Sequence, residues 1–152
     1  MAADAPDPHN LQRFIEAQAS SFADALAELE AGRKRTHWMW FVFPQLASLG
    51  RSDTARFYGI RSAAEAHAYL AHPSLGPRLR QCCLALLRHK DQSAEAIMGG
   101  VDALKLRSSM TLFETVADDA ATFAAVLDAF YTGARDPLTL ELLGRPGTPI
   151  VS

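Results

Sequence analysis

Leu75-Gly76-Pro77-Arg78-Leu79-Arg80-Gln81-Cys82-Cys83-Leu84-Ala85-Leu86-Leu87-Arg88-His89 is the stretch on which the fold class turns. Its apolar residues Leu75, Leu79, Cys82, Cys83, Leu86 and Leu87 recur at spacings of three and four. That is the period of one helical face, not the alternation of a strand. The two cysteines lie inside the stripe. Adjacent cysteines rarely bridge each other, and with no third cysteine in the chain they offer no metal cage, so they read as small buried hydrophobes. Unbridged thiols point to a reducing compartment, and a cytoplasmic protein is expected.

Working outward, helical signals continue on both sides. Upstream, Ser62-Ala63-Ala64-Glu65 has the spacing of a capping box and opens a helix carrying Ala66, Tyr69 and Leu70, which stops at His72-Pro73. Ser52 or Asp53 starts a short helix before it. Nearer the N-terminus, Asn10 reads as the cap of a helix with Leu11, Phe14, Ile15 and Ala19. Ser20 or Ser21 begins the next, with Phe22, Leu26 and Leu29, ended by Gly32. Downstream, Ser93 opens a short turn broken at Gly99-Gly100. Asp102 reads as the cap of a helix with Leu104, Leu106, Met110, Leu112 and Phe113. Asp118 or Asp119 starts another with Phe123, Val126, Leu127 and Phe130, and Asp136-Pro137 caps a last one carrying Leu138, Leu140, Leu142 and Leu143. The apolar run Trp38 to Phe43 fits helix or strand alike, and Pro44 disfavours helical geometry at Phe43. The expectation is an all-α, single compact domain of about seven or eight short helices over residues 10–144. A loosely ordered lead at 1–9 and a frayed tail at 145–152 flank it.

The chain has 152 residues, 49% hydrophobic and 21% charged, with 27 alanines against nine glycines. A globular domain of this size buries roughly 68–70% of its unfolded surface, so it needs no covalent staple. This composition excludes a disordered chain, a collagen, a disulfide knot and a membrane protein. The longest apolar run is far too short to span a bilayer, and the acidic N-terminus has no signal-peptide core. The net charge of -2 hides three blocks: -5 over residues 1–30, +7 over 31–110 and -4 over 111–152. A basic middle concentrates anions, or else packs against the acidic ends within the same domain. With no basic excess over the whole chain, general nucleic-acid binding is disfavoured.

There is no glycine-rich phosphate loop, no Gly-x-Ser-x-Gly elbow and no His-Glu-x-x-His pair, and His67 and His72 are five residues apart. Neither metal nor cofactor is expected. Three stretches carry candidate chemistry. In His37-Trp38-Met39-Trp40-Phe41-Val42-Phe43-Pro44-Gln45, the aromatic residues read as core mass or as a wall for a planar ligand, with Gln45 to orient an amide. On a helix, Lys105 shares a face with Ser108 or Ser109. That group reads as a solvated polar strip, a phosphate site, or a nucleophile with its base. His72-Pro73-Ser74 reads as a helix corner capped by the serine. If it faces a cleft, His72 is the best general acid/base candidate, with Tyr58 a weaker one.

Asn10-Leu11-x-Arg13-Phe14, His37-Trp38-Met39-Trp40-Phe41-Val42-Phe43-Pro44-Gln45-Leu46, Leu49-Gly50-Arg51-Ser52 and Tyr69-Leu70-x-His72-Pro73-x-Leu75-Gly76 occur in that order. Lys105-Leu106-x-Ser108-Ser109-Met110-Thr111-Leu112-Phe113 and Asp136-x-x-Thr139-Leu140 follow. Together these motifs resemble the bacterial and fungal family known as domain of unknown function 1810, over roughly residues 9–144. The resemblance implies an all-α single domain and no assigned activity. Relatives sometimes carry the label calpastatin. A calpastatin is a disordered inhibitor, which the globular composition here contradicts.

The polar residues in these motifs exceed what a core needs. The leading expectation is therefore a cleft that binds, and if chemistry occurs modifies, a small anionic nucleotide-like ligand. Its binding residues would be His37, Trp38, Trp40, Gln45, Arg51, Ser52, Lys105, Ser108 and Ser109, with His72 as the catalytic candidate. The alternative is a protein-interaction module without catalytic activity. A DNA-binding helix bearing Arg78, Arg80, Arg88 and Lys90 is a third reading.

Overall fold

A computed structural model describes residues 6–144, so residues 1–5 of the expected lead and the tail 145–152 lie outside the described residues. The described chain is one all-helical domain. Its helices are α1 (Gln12–Ala19), α2 (Phe22–Glu30), α3 (Met39–Val42), α4 (Asp53–Phe57), α5 (Ala63–Ala71), α6 (Leu75–Leu87), α7 (Ala94–Met98), α8 (Gly100–Val116), α9 (Ala121–Tyr131) and α10 (Pro137–Leu142). A 3-10 turn spans Ala47–Leu49, and the sole sheet-like contact among the described residues is a parallel bridge between Leu46 and Ile60.

Ten helices among the described residues exceed the seven or eight expected, and the two additions are α3 and α7. α3 is one turn in a run so uniformly apolar that no period marks it. It ends at Phe43, whose backbone leaves helical geometry just before Pro44. α7 is only five residues long, held by the Ser93 hydroxyl accepting the Ala96 N–H at 3.0 Å. Between α7 and α8, Gly99 adopts φ +88°, a conformation open to glycine, so α8 starts at Gly100 rather than after Asp102. Asn10 is not the cap of α1 either. The Asp7 carboxylate accepts the N–H groups of Leu11 and Gln12, at 2.8 and 3.0 Å. The caps read at Ser52, Ser62 and Asp136 are present, each side chain accepting the N–H three residues on.

α6 and α8 form the centre, and α5 and α9 each pack on both. The stripe Leu75, Leu79, Cys82, Cys83 and Leu86 is buried as its spacing requires. A ladder of rings crosses the middle. Phe14 meets Tyr69 edge-on at 5.0 Å, Tyr69 meets Phe113 at 5.3 Å, and Phe113 meets Phe123 at 5.9 Å. Such pairs are worth about 0.5–1.5 kcal/mol each beyond the area they bury. Two buried polar side chains beside this ladder, Gln18 and Arg13, are satisfied. The Gln18 amide donates to the Phe41 carbonyl at 2.7 Å and to the Tyr69 hydroxyl at 3.2 Å. Arg13, on α1, donates to the carbonyls of His9, Asn10, Phe57 and Gly59 and to the Glu65 carboxylate on α5.

No helix among the described residues is long and apolar enough to cross a membrane.

A candidate ligand cleft

Gln45 and Ile60 bracket an excursion of the chain that forms one wall of a cleft. The Ala47 N–H donates to the Ile60 carbonyl and the Ile60 N–H to the Gln45 carbonyl, both at 2.8 Å, so the ends of the excursion are tied together. Gly59 allows that closeness. A Cβ there would stand 2.6 Å from Ala47 Cβ and nearer still to its Cα. The excursion carries Leu49, Arg51, Ser52 and Ala55 to the cleft.

The opposite wall is α8. Val101, Leu104, Lys105 and Ser108 lie at i, i+3, i+4 and i+7, one helical face turned to the cleft, while Ala103, Leu106 and Met110 go into the core. Asp136 and Leu138, at the start of α10, close the end. The open cleft has a volume of about 580 Å³, within the range of small-molecule sites.

Several polar groups here are already engaged in building the walls. Ser52 caps α4, the Ser108 hydroxyl donates to the Leu104 carbonyl at 3.3 Å, and Asp136 accepts from the Thr139 N–H and hydroxyl. Arg107 donates to the carbonyls of Ala134 and Arg135. The Gln45 carboxamide and the Arg51 guanidinium have no side-chain hydrogen bond or ion pair among the described residues. Lys105 keeps a surplus charge. Its ammonium is 4.0 Å from Asp102, but Asp102 is closer, at 2.9 Å, to the buried Lys34 ammonium. Lys105 Nζ also lies 5.5 Å from the centre of the Trp40 ring. Behind it, a gap of about 10 Å³ between Trp40, Tyr58 and Gln45 is no roomier than a single water requires.

Gln45, Arg51, Ser52, Lys105 and Ser108 therefore converge, with Trp40 at the inner end. His37 is exposed, its ring 6.4 Å from that of Trp40. Trp38 is elsewhere. It is buried in the core, and its indole N–H donates to the Glu28 carboxylate at 3.0 Å. Ser109 is fully buried on α8, outside the cleft lining, and its hydroxyl lacks a hydrogen-bond partner among the described residues. His72 does not join the cleft lining. Its Nδ1 accepts the N–H groups of Ser74 and Leu75, at 3.0 and 3.3 Å, so the histidine rather than Ser74 caps α6. Because Nδ1 is an acceptor, any ring proton of the neutral form sits on Nε2. Ser108 turns its hydroxyl to the Leu104 carbonyl and not to Lys105, so the two are not arranged as a nucleophile with its base. Among the described residues, no group of three or more His, Cys, Asp or Glu is placed to hold a metal ion.

No motif in the sequence marks Leu49, Val101, Leu104 and Leu138 as an apolar lining. Leu104 and Leu138 read as apolar residues of their helices, yet Leu104 is 66% exposed and Val101 is 69% exposed. Their register with Lys105 and Ser108 is the signal that would have found them.

Fold and site together define an all-helical single-domain protein with an amphipathic cleft, walled by a tied excursion and one helix face. The chain belongs to the family described as protein of unknown function DUF1810, whose model matches residues 8–143. It is similar to the conserved hypothetical protein Rv1873 from Mycobacterium tuberculosis, known from a crystal structure at 1.38 Å. The two share 50% sequence identity with a TM-score of 0.89, over 90% of this chain and 98% of the other. No curated protein matches the chain.

Proposed function

We propose that the cleft binds a small anionic, nucleotide-like ligand, in a cytoplasmic protein whose two buried thiols suit a reducing compartment. The observation that carries this reading is the convergence of Gln45, Arg51 and Lys105, polar groups not used up in building the fold, on one cleft with apolar flanks. Arg51 and Lys105 hold the anion, Gln45 meets an amide or hydroxyl, and the ring lies against Leu49 and Leu104. Trp40 serves less as a stacking wall than as the surface on which Lys105 rests, since the ammonium already occupies one side of its ring. Calorimetry and thermal melting against nucleotides, ADP-ribose and sugar phosphates test this. A ligand at 100 times its Kd adds about 2.7 kcal/mol of stability. K105A and R51A should each abolish most of that gain, and no shift with any of these ligands at millimolar concentration would refute the reading.

A second reading has its own observation. Val101, Leu104 and Leu138 stand at least half exposed at the mouth, which also suits docking of an apolar partner segment. Under this reading V101D/L104D abolishes partner capture, whereas K105A leaves it intact.

A further inference from the structure

Lys105 is not the only polar group beside Trp40. Its ammonium is 5.5 Å from the Trp40 ring centre, and the His37 ring is 6.4 Å from the same ring, so the two groups are at most about 12 Å apart. His37 ends the loop Arg33-Lys34-Arg35-Thr36-His37. Arg33, Arg35, Thr36 and His37 are exposed, while the Lys34 side chain is buried and the loop is fixed at its backbone. The Glu28 carboxylate accepts the N–H groups of Arg35 and Thr36 (2.7 and 3.0 Å), the Thr36 hydroxyl (2.6 Å) and the Trp38 indole N–H (3.0 Å). The Lys34 N–H donates to the Ile97 carbonyl at 2.8 Å, and its ammonium pairs with Asp102.

Those contacts engage the Glu28 and Asp102 carboxylates. The guanidinium groups of Arg33 and Arg35 and the ring of His37 make no hydrogen bond or ion pair among the described residues. The loop and Lys105 together carry four cations (Arg33, Lys34, Arg35, Lys105), of which Lys34 and Lys105 share Asp102. His37 thus lies beside Trp40, within about 12 Å of Lys105, and Arg35 is two residues before it in the anchored loop, with donors to spare. A guanidinium offers five N–H groups in a fork that fits phosphate oxygens.

We propose that Arg35 and His37, supported by Arg33, form a second phosphate subsite outside the cleft. The ligand is then a polyphosphate-bearing molecule, whose first phosphate lies at Lys105 and whose further phosphates pass Trp40 to the loop. This rests on the reading that the cleft binds an anion, and it specifies what that anion carries. A phosphate chain is favoured over a nucleic-acid strand because the path offers one ring, already covered by Lys105, rather than successive stacking platforms.

The test is calorimetry at low salt on the full chain with four probes: orthophosphate, tripolyphosphate, AMP and ATP. The triphosphates should bind at least tenfold tighter than their single-phosphate counterparts. R33A/R35A should erase that advantage and leave AMP and orthophosphate binding within twofold of the parent. R61A, removing an exposed cation that lines a separate hollow, should leave the advantage intact. K105A should weaken all four. Inorganic tripolyphosphate matching ATP identifies the phosphate chain as the recognised part, while ATP alone gaining tenfold assigns the chain to a nucleotide. Equal affinity for single phosphates and triphosphates overturns the second subsite and leaves the cleft reading standing, as does an advantage that survives R33A/R35A. A single-stranded 12-mer binding more tightly than ATP overturns it in favour of a nucleic acid. No binding by any probe overturns the cleft reading and the subsite with it.

Discussion

Replacing Arg13 and Glu65 together by apolar residues, R13M/E65L, will destabilise this protein, although the same operation on a buried ion pair is often neutral or stabilising. The pair is buried: Nη2 is 2.6 Å from Oε2, and the side chains are 7% and 4% exposed. Removing Glu65 alone leaves a buried guanidinium without its counter-charge, a loss of about 3–5 kcal/mol. Removing both charges ends that penalty but not the other one. Arg13 also donates to four main-chain carbonyls, of His9, Asn10, Phe57 and Gly59, at 2.7–2.9 Å. His9 and Asn10 lie at the solvated start of α1, where water replaces the lost donor. Gly59 is buried and the Phe57 bond is partly so, and an orphaned buried acceptor costs about 1–3 kcal/mol. The double variant should therefore unfold about 2–6 kcal/mol more easily than the parent, a large share of a stability of about 5–15 kcal/mol. Urea denaturation read by far-UV circular dichroism gives the difference from the midpoint at constant slope. A double variant within about 0.5 kcal/mol of the parent, the usual tolerance for uncoupled sites, would show that the carbonyls do not depend on Arg13.

Three further outcomes are expected. G59A forces Ala47 and its strand-like bridge apart and should cost about 1–3 kcal/mol as an overpacking change, with weakened ligand binding; a parent-like urea midpoint would contradict this. Burial acts to raise the Glu28 carboxyl, but hydrogen bonds from the Thr36 hydroxyl, the Arg35 and Thr36 N–H groups and the Trp38 indole outweigh it and bring the pKa to about 2. Its folded value is depressed, so the stabilisation is complete above pH 4.5 and is lost as pH falls towards 2. E28Q should lower Tm at pH 7 and flatten the decline of Tm across that acid window; parallel melting curves would refute it. Finally, burial and the nearby Glu30 charge push the Cys82 thiol up to about 12, while burial raises Cys83. Neither should react with iodoacetamide at pH 8 until urea unfolds the chain, and native labelling observed by mass spectrometry would show that the α6 stripe opens.

Long periodic helices were legible because their burial pattern repeats. Leu75 to Leu86 could be read residue by residue, and side chains with one local job, such as Ser52 and Asp136, announced their helix starts. α3 was not legible, since a run apolar on every side has no phase. Within the cleft, Gln45, Arg51, Ser52, Lys105 and Ser108 could be nominated as polar residues in unusual surroundings. Their assembly could not be foreseen, because it depends on an excursion folding back through the hydrogen bonds of Ala47 and Ile60. Trp38 and His72 show the limit from the other side. Each has a polar atom suited to a ligand, and in each that atom is taken by a distant carboxylate or a neighbouring helix end, partners that spacing alone does not reveal.

The tied excursion between Gln45 and Ile60 separates two kinds of evolutionary constraint. Its ends are fixed to one another and its returning end to Arg13, while Leu49 and Tyr58 rest against the core between them. The fold itself tolerates change in the exposed side chains between those points, Arg51, Thr54 and Arg56 among them, while the aromatic ladder stays as it is. Selectivity and foldability are thereby assigned to different side chains of one stretch. Relatives of this protein should then diverge first at exposed positions outside the shared motifs, such as Thr54 and Arg56, while Leu49 to Ser52 and the Lys105 to Ser108 face are kept with the architecture.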